Sequence, residues 1–470
     1  MLAATLVVLA VLTIRGRFSD LDLWWHLKTG EVIWNTHSIP RTDLFSWTTE
    51  HHEWIPHEWL AELTMYAAYY FGSYTGLMVW FAVTTALLLV LQYLLCSLYS
   101  GNPKVALIGG LIAWLFATSG FSIRPQMIGY VLLTCELLIL YLGRVYGGRW
   151  FLLLPPLFAV WVNCHGSFSI GIVIIALTLL TSFAEFSAGS LEATRWDRHL
   201  RNQLAVAAAL SVAALFLNPV GIRQVTYPLD VMFKQHVNVA NVSEWQPPDP
   251  NDPRTVVLFG CAALLFVMVL FRRATLRFDE LVLFVLGFAM AVRHFRMFFV
   301  FGVLAAPILS RLLANEWEGY DPARDRRLPN AVMLAVAFGV VIAAFPTRSE
   351  LEAQVRQSNP VGAVEFVRRS GQTGRMLNDY GFGGYLIWAL PEHEVFVDGR
   401  TDVFEWTGVL SDYGRWALLQ QDPQVLLNKY HIDFCFLSKE APMTHVLPYV
   451  PGWRMVYNDE QAAIFRRTAE

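Results

Sequence analysis

Residues 75–99 read TGLMVWFAVTTALLLVLQYLLCSLY, a run with no charged side chain. A helix rises about 1.5 Å per residue, so about 20 apolar residues cross the roughly 30 Å hydrocarbon core of a bilayer. This run is long enough, and Gly101-Asn102-Pro103 just beyond it supplies the turn expected at its end. Similar blocks fall at about 1–14, 104–120, 126–143, 150–163, 167–187, 202–218, 255–271, 279–292, 297–313 and 329–346, and then stop. The expectation is a polytopic α-helical membrane protein with about 11 transmembrane helices. Composition agrees: 470 residues, 55% hydrophobic, only 16% charged and a mean hydropathy of +0.42 are too apolar for a soluble enzyme.

The first block has no positively charged start and no small-residue cleavage site, so it reads as a retained helix rather than a signal peptide. With that N-terminus inside, the inner loops carry Lys104, Arg144, Arg149, Arg195, Arg198, Arg201, Arg272, Arg273, Arg277, Arg311, Arg324, Arg326 and Arg327. The opposite loops are longer and poorer in basic residues, and this bias sets orientation. An odd number of spans then leaves the C-terminal part outside. A net charge of −3 gives no reason to expect a nucleic-acid partner, and five cysteines without CxxC spacing exclude a zinc ribbon.

The domain reading follows. Residues 1–346 form a transmembrane domain with a long first outer loop, 15–74, and residues 347–470 form a small α/β domain outside the membrane. Within the first loop, Glu58–Phe71 (EWLAELTMYAAYYF) has apolar residues at helical spacing and clustered tyrosines, as expected of a helix in the headgroup plane. A second outer loop, 219–254, is rich in Pro and Asn. Beyond 347 the pattern predicts helices at 362–369, 383–390 and near 412–421. It predicts strands at 375–377, 394–397 and 434–437, and a final hairpin at 453–457 and 462–466. A parallel strand order is the expectation.

Charged groups at membrane depth are costly unless solvated or paired, so their clusters mark candidate sites. In this topology the unusual ones gather on the outer side. Asp20 and Asp22 follow the first helix, Arg124 the third, His165 the fifth and Arg223 the seventh; Arg293, His294 and Arg296 follow the ninth. Helices can bring such segments around one cavity. Two carboxylates at i and i+2 can hold a divalent cation, or one can act as base. Arginines and histidines at the same level suit a phosphate or diphosphate. Against this stand blander readings, in which Asp20 or Asp22 caps the helix carrying Trp24 and Trp25 and the arginines snorkel to headgroups.

The first loop carries a resemblance. Asp20-Leu-Asp22-Leu-Trp-Trp-His26-Leu, then Gly30, Pro40-Arg-Thr-Asp43-Leu-Phe-Ser46 and Trp54-Ile-Pro-His57-Glu58-Trp59-Leu resemble the GT-C superfamily of integral membrane glycosyltransferases. The stretch is particularly similar to bacterial members of unassigned substrate, akin to protein mannosyltransferases and lipid A sugar transferases. Asn378-Asp-Tyr-Gly-Phe-Gly-Gly-Tyr-Leu-Ile-Trp and Val397-Asp-Gly-Arg400 look like the outer domain of that group. The resemblance implies inverting transfer of a sugar from a polyprenyl-phosphate donor to a protein, lipid or glycan acceptor, on the periplasmic side of a bacterial inner membrane. It implies Asp22 or Asp20 as base or as ligand of Mg or Mn, with Asp43, Glu58 and Glu244 competing for the second acidic position. His26, His57, Glu58 and Asp43 are then accessory first-loop residues, and Arg124, His165, Arg223, Arg293, His294 and Arg296 hold the donor phosphate. A rival reading is a non-catalytic subunit or scaffold of a larger membrane complex that keeps the fold. A transporter ranks behind both, because no internal repeat is visible.

Overall fold

The structure is a computed structural model. It describes residues 2–15, 18, 20–50, 52–235, 239, 242–271, 275–317, 319–321, 323 and 325–468. Three of the basic inner-loop residues, Arg272, Arg273 and Arg324, lie outside the described residues. The chain divides into two compact units. One comprises residues 1–15, 78–228 and 242–345, and the other 16–77, 229–241 and 346–470.

In the first unit a helix stands at each apolar block of the sequence. The ends are set locally: Asn102 caps the helix Pro103–Ala117, Asp197 caps Arg198–Ala214 and Asp252 caps Pro253–Leu270, two of them with proline in the first turn. Among the described residues, six helical segments are long and apolar enough to cross a membrane: Trp59–Ser100, Pro103–Gly120, Gln126–Tyr146, Pro253–Leu270, Phe295–Ala314 and Arg327–Ala344. Leu2–Ile14, Gly148–Trp161 and Phe168–Thr181 are apolar but shorter. The protein is a membrane protein. Phe298–Ala314 is buried along nearly its whole length, as a helix apolar on every side should be. It packs closely because small residues lie both on it and on the helix it meets. A Cβ on Gly109 would lie 2.1 Å from Ser310 Oγ, and one on Gly302 2.7 Å from Phe116 Cβ.

Two stretches of this region differ from the sequence expectation. The helix begun at Phe168 stops at Thr181, and Phe186–Ala188 pairs with Leu191–Ala193 as a hairpin. Gly189, at φ +67°, makes the turn, and Leu276–Arg277 adds a third short strand. The segment 219–254, expected as a loop, also contains a helix, Ile222–Lys234, which the Pro and Asn content concealed.

In the second unit the helix Leu23–Thr36 buries Leu23, Trp24, Trp25, His26 and Leu27. It crosses the start of Trp59–Ser100 at Gly30, where a Cβ would lie 2.3 Å from the Glu62 carbonyl oxygen. That long helix is broken at Ser73 (φ 53°, ψ −145°), so Glu58–Phe71 belongs to a segment distinct from the apolar run after it. Residues 346–470 contribute a four-stranded sheet in the order Met376–Asn378, Phe434–Ser438, Ala462–Arg467, Trp453–Asn458. Only the first pair is parallel. The others are antiparallel, and for Trp453–Asn458 with Ala462–Arg467 the short 459–461 connection can only reverse the chain. Phe434, Cys435, Phe436 and Leu437 are all buried, as in a strand covered on both faces.

The helices run Val361–Ser370, Tyr380–Ala389 and Val409–Ala417, the last ending before Leu419 takes a φ of 56°. The strand expected at 394–397 joins no sheet. Val395 bridges to Ser46 instead, with Val395 N–H donating to Phe45 O at 2.9 Å and Trp47 N–H to Val395 O at 3.2 Å.

Candidate active site

Asp22 occupies the N-cap position of Leu23–Thr36 but takes helical dihedrals, and its side chain makes no capping bond. Instead Asp22 Oδ1 accepts from Trp25 Nε1 at 3.1 Å, while Asp20 Oδ1 accepts from the Asp22 N–H at 2.9 Å. Both carboxylates are half-buried. Asp22 lies against Gly399, where a Cβ would sit 1.9 Å from Oδ1. The glycines of the 378–388 stretch serve the same approach. A Cβ on Gly384 would lie 2.3 Å from Leu21 O, and one on Gly383 2.3 Å from Val397 O.

The Trp25 ring also lies against His26, tilted by 32° with ring centroids 3.5 Å apart. His26 Nδ1 is hydrogen-bonded to Glu62 Oε1 at 2.9 Å and lies 3.8 Å from Glu58 Oε2; His57 Nε2 lies 3.7 Å from Glu58 Oε1. His26, Glu58 and Glu62 are buried. Glu62 escaped the sequence reading, although its i, i+4 spacing from Glu58 puts both on one helix face.

Asp43 belongs to a further buried cluster whose centre the sequence reading did not assign. Arg400, fully buried, donates to Asp43 Oδ1 at 2.6 Å, to Asp398 Oδ1 and Oδ2 at 2.9 and 2.7 Å, and to Ser46 Oγ at 2.8 Å. Its guanidinium carbon lies 4.9 Å from the Phe45 ring and 4.8 Å from Trp54. Burial alone would push the Asp43 carboxyl up, but Arg400 and the hydroxyl of Thr49 together hold it below the usual range. Burial works against the Arg400 charge too, and the two aspartates outweigh it and raise its pKa.

The phosphate-binding candidates lie in the other unit. Arg144 and Asp279 pair at 2.5 Å where the C-terminal end of Gln126–Tyr146 meets the N-terminal end of Phe278–Arg293. At the opposite ends of the same two helices, Arg124 Nη1 lies 3.6 Å and Arg296 Nη1 3.2 Å from the two oxygens of Glu244. Arg296 Nη2 donates to Gln126 Oε1 at 3.3 Å and lies over the Trp245 ring. His294 Nδ1 is 2.5 Å from Trp245 O, and Arg293 is exposed beside it.

His165 bonds Ser167 Oγ at 2.8 Å and packs on Gly129, one turn into the helix that starts at Gln126. Arg223 is exposed beside Gln224, whose side chain donates to Val162 O at 2.6 Å. Arg124, Arg296 and His294 are thus gathered around one short turn, Ser243–Trp245. Two arginines share one carboxylate there.

Among the described residues, no group of three His, Cys, Asp or Glu side chains is placed to hold a metal ion. Asp20 and Asp22 would provide two carboxylates, a number that suffices for Mg only with water and substrate phosphate completing the shell.

No protein-family model and no curated protein matches the chain. Solved structures do. The oligosaccharyltransferase of Archaeoglobus fulgidus in the apo form is 14% identical at a TM-score of 0.52, over 93% of this chain and 69% of its own. With a tethered acceptor peptide containing the NVT sequon it gives 13% and 0.55 over the same shares. ArnT from Cupriavidus metallidurans bound to undecaprenyl phosphate is 13% identical at 0.55, over 98% of this chain and 97% of that one.

The fold is that of the GT-C glycosyltransferases. A GT-C structure of the Archaeoglobus enzyme in complex with Zn and sulfate also matches, at 12% identity and 0.50, over 99% and 73%. At these identities the GT-C likeness speaks of the fold alone.

Proposed function

We propose that the protein is a GT-C glycosyltransferase of a bacterial inner membrane. It transfers a sugar, with inversion, from a polyprenyl-phosphate donor to an acceptor on the periplasmic side. About eleven helices span the bilayer in residues 1–346, and 347–470 form the outer α/β domain. The observation that carries the reading is Asp22: a carboxylate at a helix N-terminus that caps nothing and is held by Trp25 against a glycine. Such a group is suited to take a proton from an acceptor as the new bond forms.

Asp20 supports Asp22 through its backbone N–H. Arg124 and Arg296 bind the donor phosphate with His294, while Arg293, Arg223 and His165 contribute charge or contacts to the lipid carrier. A Mg or Mn ion would take Asp20 and Asp22 as protein ligands and would supply positive charge there. Undecaprenyl phosphate in the ArnT structure supports the donor class.

A second reading, a non-catalytic subunit or scaffold with this fold, is favoured by a different fact. Glu244 is shared by two arginines and Asp43 is tied to Arg400, so two of the three candidates for a second acidic position are already neutralised. Saturable binding of undecaprenyl phosphate to the purified protein separates the readings. Its absence would transfer support to the scaffold. If binding holds, Asp22→Asn should abolish turnover while insertion and folding persist; retained turnover would remove Asp22 from catalysis. Loss of turnover in EDTA, restored by Mg, assigns Asp22 as a metal ligand, and indifference to EDTA assigns it as base.

A further inference from the structure

An open cleft of about 420 Å³ lies within the second unit, and nothing proposed above uses it. Its walls come from four helical segments. Lys28 and Glu31 belong to Leu23–Thr36, and Tyr74 lies just past the break at Ser73. Arg368 belongs to Val361–Ser370, and Tyr385 and Trp388 to Tyr380–Ala389. The volume is within the usual range for a small-molecule site, about 300–1,000 Å³.

Two properties of the lining define what fits. The first is aromatic. Tyr385 meets Trp24 edge-on, with centroids 5.1 Å apart, Tyr74 meets Trp24 in the same manner at 6.2 Å, and Tyr69 meets Trp388 edge-on at 5.1 Å. These contacts hold the rings in place, and Trp388 stays half-exposed.

The second is charge that is already balanced. Lys28 Nζ pairs with Glu31 at 2.6 Å and lies 6.0 Å from the Trp388 ring centroid. Arg368 donates to Glu392 at 2.7 Å and to Ala389 O at 2.6 Å. Each cation thus has its own carboxylate. A phosphate entering here would have to displace them, so the cleft is a poor anion trap. It does offer donors and acceptors at fixed spacing beside aromatic rings. A ligand with an apolar C–H face and many hydroxyls matches that combination: the C–H face lies on a ring and the hydroxyls bond to the paired charges. Extended peptides are recognised through free strand edges or apolar grooves, and this cleft is walled by helices and charge pairs.

We propose that this cleft binds a neutral oligosaccharide, and that the acceptor of the transfer is therefore a glycan. Naming it the acceptor rests on the glycosyltransferase reading; the binding itself does not. The test uses the full chain in lipid nanodiscs, because maltoside detergents carry the chemistry under examination. Maltotriose, chitotriose and mannotriose are titrated by saturation-transfer NMR, with glucose 6-phosphate and the tripeptide Asn-Val-Thr as competitors.

At least one trisaccharide should bind saturably, and Trp388→Ala should weaken it about tenfold, the scale of one aromatic contact. Glu31→Gln, a milder change should Trp388→Ala fail to fold, should weaken it in the same direction. No binding by any of the three, unchanged binding in both cleft variants, or displacement by the phosphorylated sugar or the peptide would overturn the proposal. Undecaprenyl phosphate binding on the same sample keeps the two readings apart. Lipid binding without sugar binding rejects only the cleft, and sugar binding without lipid binding rejects only the transferase.

Discussion

A methyl group added to Gly399 would fall 1.9 Å from Asp22 Oδ1, far inside van der Waals contact. Either Asp22 or the Val397–Arg400 segment must then move. Gly399→Ala is expected to reduce turnover nearly as much as Asp22→Asn while donor-lipid binding persists; normal turnover would mean that the position of Asp22 is not critical. Arg400 makes a different prediction, because it is enclosed with two carboxylates. Arg400→Met leaves Asp43 and Asp398 without their cation, at a cost of about 3–5 kcal/mol. Thermal unfolding should show that loss, and an unchanged melting temperature would contradict it. The Asp43 carboxyl is depressed in the folded state, so its stabilisation is present above its unfolded pKa and is lost as pH falls through the folded value. Wild-type stability should therefore drop in acid below about pH 4, the unfolded range of aspartate.

Helices act here mainly by what they hold at their ends. Gln126–Tyr146, with 21 residues, keeps the Arg144–Asp279 pair at one end and Arg124, Glu244 and Arg296 at the other. A phosphate bound at the second end gains charge-assisted hydrogen bonds of roughly 1.5–3 kcal/mol each. Arg124→Ala or Arg296→Ala should then weaken undecaprenyl phosphate binding about tenfold to a hundredfold. Snorkelling arginines would instead give a small, headgroup-dependent change in stability. Glu244 competes with the phosphate for the same two guanidiniums, so Glu244→Gln should tighten binding. Weaker binding in that variant would show that Glu244 positions the arginines rather than opposing the ligand.

For the molecule as a whole, the basic residues of alternate loops decide orientation. A reporter that is active only in the cytoplasm, fused after Arg369, should be silent; activity there would overturn the assignment of the candidate site to the outer face. The helices of the apolar blocks were legible because a bilayer demands long apolar runs, and a helix stands at each block, the one begun at Phe168 stopping at Thr181. Shorter features were not. The hairpin of Phe186–Ala188 and Leu191–Ala193 and the helix Ile222–Lys234 are set by a few local residues, and an apolar-block reading has no way to separate them from loop.

What the sequence determined by itself is what depends on local composition: the apolar helices of the chain, the turn at Gly101-Asn102-Pro103 and the candidate acids in Asp20-Leu-Asp22. The arginines flanking 126–146 were legible too, because a charge beside an apolar run is conspicuous in one dimension. Only the tertiary structure decided what those groups touch. Arg400 and Asp43 are 357 positions apart, and Arg296 and Gln126 are 170, so no local pattern relates them. The expected strand at 394–397 failed for the same reason. The consecutive β-branched and aromatic residues Val395-Phe396-Val397 favour an extended chain there, but a strand needs a partner strand, and Val395 forms an isolated bridge to Ser46, from the far end of the sequence. Pairing across such separations is settled by which surfaces can be buried together, a property of the folded chain rather than of any stretch within it.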